Sequence, residues 1–182
     1  MVAARDLVKD LLRGIRTISV VRELKRMVNY VKGNLLDSNC DYICHQVNCQ
    51  GVMGSGIARQ IRERWPEVYE RYVSMVDRHN IRGEGLLGKI LIADTNDGKR
   101  IINMFAQDFN GYYGRRFTSY DAFAQCLMLI QPYVQGDRSV GFPKNIGCGL
   151  GGGNWKVISA LIEEILGPNS NVYIYEYEPE VK

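Results

Sequence analysis

Twice in this chain a short apolar run ends in a polar edge, passes through clustered glycines and opens straight into an amphipathic helical pattern. The first junction reads HQVNCQGVMGSGIARQ over 45–60, with Gly51, Gly54 and Gly56 between an expected strand at 42–47 and an expected helix at 55–64. The second reads GCGLGGGNW over 147–155, between an expected strand at 139–142 and an expected helix at 154–166. Glycine at such a turn lets the backbone come close to a ligand, and the helix behind it offers unpaired N–H groups and a partial positive charge. This is a way to hold a phosphate or diphosphate without a dedicated lysine. A chain with two such junctions must keep its strands side by side with helices between them.

The remaining punctuation agrees. Strands are expected at 28–32, 89–93, 100–106 and 172–177, with Asp97-Gly98 as a hairpin turn between the third and fourth strands in the chain. Pro66 opens a second helix running to about residue 79, where its missing N–H costs nothing. A helix over 118–133 takes Thr118 or Ser119 as its cap. Strands alternating with helices, plus one hairpin, imply an α/β fold: a three-layer α/β/α sandwich around a mixed, mostly parallel central sheet.

At 182 residues this is one such domain. Residues 28–182 form its body. Residues 1–27 read as an N-terminal basic amphipathic helical arm, with Leu7, Val8, Leu11, Leu12, Ile15 and Ile18 at helical spacing. The arm holds seven basic residues against three acidic ones, while the whole chain nets only +3. The body is therefore close to neutral, and nucleic acid is not expected as a partner of its main surface. The acidic residues also speak against a targeting segment. No apolar run reaches the roughly 18–20 residues of a membrane span, so a soluble, cytoplasmic protein is expected. The five cysteines (Cys40, Cys44, Cys49, Cys126, Cys148) include no C-x-x-C pair. Alternation along a strand would send Cys44 and His45 to opposite faces, so neither a metal site nor any cofactor is expected. The oligomeric state is not set by the sequence.

Gly147-x-Gly149-x-x-Gly152 matches the dinucleotide fingerprint only formally, because a single helix and strand remain after it. G-x-x-x-x-G-K-[ST] and G-x-S-x-G do not occur.

Four blocks in order, VKGNLL (31–36), HQVNCQGVMGSGIARQI (45–61), NMFAQDFNGYYG (103–114) and GFPKNIGCGLGGGNW (141–155), resemble a macrodomain, the α/β/α module that binds ADP-ribose. The chain is most similar to the branch holding ADP-ribose-1″-phosphate phosphatases and phage-encoded relatives. That resemblance implies ADP-ribose or a derivative as ligand. Gly54, Ser55, Gly56 and Ile57 would hold one phosphate, and Gly147, Cys148, Gly149, Leu150 and Gly151 would wrap the other side. Asn34 would bond the adenine, with Tyr175 or Tyr177 stacked on it, and Leu35 would be among the ligand-binding residues. Asn48 would bond the distal ribose, beside Gln107 and a lining of Phe105, Phe109 and Tyr112. His45 would act as general acid or nucleophile, and Asp108 would orient a water.

Two departures matter. Asn34 stands where many macrodomains carry an Asp, so its bond to adenine lacks charge assistance. Gln107-Asp108 and Gly151 stand where the glutamate-deconjugating type has its lysine and aspartate, and that chemistry does not carry over. The implied activity is hydrolysis of ADP-ribose-1″-phosphate. The alternatives are removal of ADP-ribose from a macromolecule, or reading ADP-ribosyl marks without catalysis. A nucleic-acid binder acting through the basic arm is a further one.

Overall fold

The structure is a computed structural model that describes residues 28–82, 85–109, 115–167 and 171–178. The helix expected within 1–27 and Tyr112 lie outside these residues. Six strands form one sheet: β1 (Asn29–Lys32), β2 (Tyr42–Asn48), β3 (Ile90–Asp94), β4 (Arg100–Gln107), β5 (Val140–Pro143) and β6 (Val172–Glu176). Their order is β1-β6-β5-β2-β4-β3, parallel throughout except for β3, which pairs antiparallel with β4. The hairpin turns at Gly98 (φ 85°), with Thr95 N–H donating to Lys99 O at 2.8 Å. Trp65 Nε1 donates to Asp97 Oδ1 in that turn at 3.0 Å, tying it to the helical layer.

Helices α1 (Gly56–Arg64) and α2 (Pro66–Arg82) cover one face, and α3 (Tyr120–Ile130) and α4 (Trp155–Leu166) the other. This is the three-layer arrangement expected from the alternation. Tyr42 and Cys44 of β2 join Ile102 and Met104 of β4 under α3 and α4. Ile43 and Ile101 pack under α1, and Val47 and Phe105 under α2. The period of two along β2 and β4 thus feeds both layers.

The boundaries shift where local chemistry dictates. Ser119 rather than Thr118 caps α3, accepting from Ala122 N at 3.2 Å. The same helix ends at Ile130 and tightens into a 3₁₀ turn over Gln131–Val134, because Pro132 cannot donate an α-helical bond. No described helix is long and apolar enough to cross a membrane.

Candidate functional site

Strands β2 and β5 are parallel neighbours, Tyr42 opposite Val140. The loops that follow them must therefore leave the sheet at the same edge. Between these loops lies a cleft of about 350 Å³, lined by Gly54, Ser55, Gly56 and Ile57 on one side and Gly147, Gly149, Leu150 and Gly151 on the other. Both glycine junctions thus serve one site.

The first loop is fixed by Asn48. Its Oδ1 accepts from Gln50 N (2.9 Å), Val52 N (3.2 Å) and Tyr72 Oη (2.8 Å), while its Nδ2 donates to Val52 O at 2.7 Å. Gly51, at φ 79°, makes the reversal that these bonds demand. Ser55 stands at the N-cap of α1 with no side-chain cap bond, and Gly56, Ile57 and Ala58 line the cleft. Their amides belong to the first helical turn, which has no intrahelical acceptors to offer, so an anion here meets ready donors. Asn48 thus borders the cleft chiefly as the clamp of this loop. Tyr72→Phe removes one of the three donors on its oxygen. We expect a loss of about 1 kcal/mol in urea denaturation; an unchanged midpoint would show that the clamp does not depend on Tyr72.

The second loop closes on itself and on its neighbours. Gly152 N donates to Gly149 O and Gly153 N to Gly147 O, each at 2.9 Å. The carbonyl of Gly151 accepts from both Phe117 N and Thr118 N at 2.9 Å. Among the described residues, the amides of Gly149, Leu150 and Gly151 make no such bond. Cys148 lies outside the cleft lining, packed against the core under α3 and α4.

The remaining expected residues divide. Gln107 lines the cleft. Leu35, Ile57 and Tyr175 meet in one apolar cluster under α1, of which only Ile57 reaches the lining. Asn34 is spent on local structure, capping a 3₁₀ turn through Leu36 N at 3.1 Å and donating to Asp37 Oδ2 at 2.7 Å. Phe105 is fully buried against Tyr72, ring centroids 5.7 Å apart, and does not reach the cleft. Asp108 and Phe109 instead line a separate pocket of about 260 Å³ with Cys49, Gln50 and Leu86. Tyr177 is exposed.

His45 is also outside the cleft. It has no exposed surface, and its Nε2 lies 2.7 Å from Asn103 Oδ1, whose own Nδ2 donates to Leu91 O. Burial pushes its pKa down to about 4, against a partial opposing effect of the Asn103 bond. The reason is strand parity: on β2 the side chain at 45 shares the face of Ile43 and Val47, under α1 and α2, while Gln46 points the other way. A neutral imidazole closed off from the cleft cannot protonate a leaving group there.

Gln46 and Thr118 are the residues that sequence reasoning passed over, together with Val52, Lys144, Asn145 and Ile146 of the lining. The only signal was that Gln46 sits one position from His45 on the same strand. Lys144 pairs with Glu176, and that bond holds the Glu176 carboxyl below its usual range. Among the described residues, the lining contains no Asp, Glu, His or Cys, and no group of three or more such side chains could hold a metal ion. The buried thiol of Cys126 and the half-buried one of Cys49 are poor nucleophiles too, since desolvation pushes them up to about 12 and about 11.

No protein-family model matches the chain. Its sheet order, helical layers and twin glycine loops are those of a macrodomain fold. The macrodomain of Mycobacterium tuberculosis DarG superposes with a TM-score of 0.65 and 29% identity, covering 85% of this chain and 99% of that one. The DNA ADP-ribosyl glycohydrolase of Thermus aquaticus is 28% identical over 156 residues, 84% of this chain. This chain spans only 41% of that relative's length. The ADP-ribose 1″-phosphate phosphatase of Saccharomyces cerevisiae is 27% identical over 172 residues, covering 79% of this chain and 95% of the yeast protein.

Proposed function

We propose that the cleft binds ADP-ribose and that the protein hydrolyses a derivative substituted at C1″ of the distal ribose, with ADP-ribose-1″-phosphate as the preferred substrate. The observation that carries this reading is the pair of glycine loops on one cleft, with the first turn of α1 on one wall and the free amides of Gly149, Leu150 and Gly151 on the other. Such donors suit a diphosphate between them, each bond to a charged oxygen contributing about 1.5–3 kcal/mol. The ADP-ribose module takes residues 28–182, with 1–27 as an appended arm.

The chemistry follows from what lines the cleft. The described lining offers no carboxyl, imidazole or thiol, and its Lys144 is paired with Glu176; the leaving group departs without a side-chain acid, and phosphate is a weak enough base to do so. Water adds to C1″ and the C1″–O bond breaks. Phosphate leaves with the electron pair, and the water's proton passes to solvent or to the departing phosphate. The similarity to the yeast phosphatase over nearly its whole length supports this substrate.

A second reading has its own support: the likeness to the DarG macrodomain and to the Thermus glycohydrolase, whose name places its substrate on DNA. Calorimetry with ADP-ribose comes first, and absence of binding would end both readings. Phosphate release from ADP-ribose-1″-phosphate in ¹⁸O-water then tests the route. Unlabelled phosphate is expected; labelled phosphate would mean attack at phosphorus and would overturn C1″–O cleavage. Release of ADP-ribose from a modified oligonucleotide, with none from the 1″-phosphate, would favour the second reading.

A further inference from the structure

Under the cleft runs a chain of hydrogen bonds with a defined direction. Gln46 Nε2 donates to Thr118 Oγ1 at 2.9 Å and to Gln107 Oε1 at 3.1 Å. Thr118 Oγ1 in turn donates to Gly147 O at 2.8 Å, and Gln107 Nε2 donates to Phe109 O at 2.6 Å. Every group in it has only one consistent role. The threonine hydroxyl gives its single proton to a carbonyl, so it must accept from the Gln46 amide, and the oxygen of Gln107 faces that amide as well. The series links the second glycine loop, through β2 and β4, to the backbone just past β4.

The same contacts explain why two loop positions are glycine. A Cβ on Gly147 would stand 2.5 Å from Gln46 Oε1, and Gly147 already lies at φ 72°. A Cβ on Gly151 would press into Thr118 Oγ1 and stand 2.6 Å from Gly147 O. Gly151 has an ordinary φ, so here close approach alone excludes a side chain. Among the described residues Gln46 Oε1 is buried with no partner, a cost that the other two bonds of the amide offset.

We infer that Gln46 and Thr118 are positioning residues: by holding the Gly147 carbonyl inward they turn the amides of Gly149, Leu150 and Gly151 toward the ligand's diphosphate. The inference rests on the reading of the cleft as an ADP-ribose site. It differs from a packing role, because it assigns the effect to the diphosphate-binding wall alone.

The test uses the full chain carrying Thr118→Val, which keeps the shape and removes the hydroxyl, with Thr118→Ser as rescue. Calorimetry with ADP-ribose and with AMP is paired with hydrogen exchange of the unliganded proteins. Thr118→Val is expected to weaken ADP-ribose binding about tenfold to a hundredfold, as loss of one charge-assisted bond would, and AMP binding much less. Thr118→Ser is expected to restore affinity. The amides of Phe117, Thr118 and Gly153 are expected to exchange faster in the valine variant. Wild-type affinity in Thr118→Val, equal losses for AMP and ADP-ribose, or failed rescue by serine would overturn the inference. If the wild type binds no ADP-ribose, the cleft reading fails by itself, and unchanged exchange in Thr118→Val would then sink the brace independently.

Discussion

Gly151→Asp is expected to abolish measurable ADP-ribose binding, a loss of about a hundredfold or more, rather than to confer a new catalytic carboxylate. Any side chain at this position starts with a Cβ crowded by Thr118 Oγ1, Gly147 O and Gln46 Nε2. None of these is the free end of a flexible surface chain, so the loop must move. Movement carries away the Gly151 carbonyl, which accepts from Phe117 N and Thr118 N, and with it the loop whose amides are proposed to meet the diphosphate. At about 1.5–3 kcal/mol per charge-assisted bond, losing two of them exceeds a hundredfold. An aspartate adds a negative charge beside a diphosphate and deepens the loss. Calorimetry on Gly151→Asp and Gly151→Ala separates the two contributions. If alanine binds like the wild type, crowding at this position does not govern the loop.

The second large effect concerns acid. His45 is neutral and enclosed in the folded protein, with its pKa pushed down to about 4, whereas an unfolded histidine titrates near 6.5. The sign follows directly. Above pH 6.5 neither state is protonated, and the native packing carries no penalty from this group. Between about pH 6.5 and 4 the unfolded chain takes up a proton that the folded chain does not, so stability falls with pH. The gap corresponds to about 3 kcal/mol by pH 4. His45→Gln keeps a donor for Asn103 Oδ1 and cannot titrate. Urea denaturation at pH 7 and pH 4.5 is expected to show a shallower pH dependence in this variant, with turnover per folded molecule retained at pH 7. An identical pH dependence would refute the burial argument. Retained stability with lost turnover would return His45 to the chemistry.

The contrast between these two residues shows how far the sequence could be read. Alternating elements, the Asp97-Gly98 hairpin and both glycine junctions are local signals, and the structure has each of them where the pattern puts it. That both loops meet on one cleft follows from β2 and β5 being parallel neighbours, which the resemblance implied and local pattern alone could not. The side chains were harder. A strand ending in His-Gln-Val-Asn draws attention to its histidine, yet the pleat sends His45 under α1 and α2 and leaves Gln46 at the cleft. Phe105 shares that parity and is lost to the core with it. Thr118 was legible only as a possible helix cap. Because Ser119 takes that role, the threonine hydroxyl is free to reach across 29 residues of sequence to Gly147, and no periodicity encodes such a contact.

The strand order also bears on how the chain is made. Asn29 lies beside Tyr173, so the first described strand pairs with the last described one, more than 140 residues later in the chain. During translation β2, β4 and the β3 hairpin can associate before β6 is made, while β1 lacks its described partner until residues 172–176 have left the ribosome. A nonsense truncation just before Val172 would therefore strand both β1 and the outer side of β5. Such nascent or shortened chains would expose unpaired edges, and they are the species that chaperones would be expected to engage.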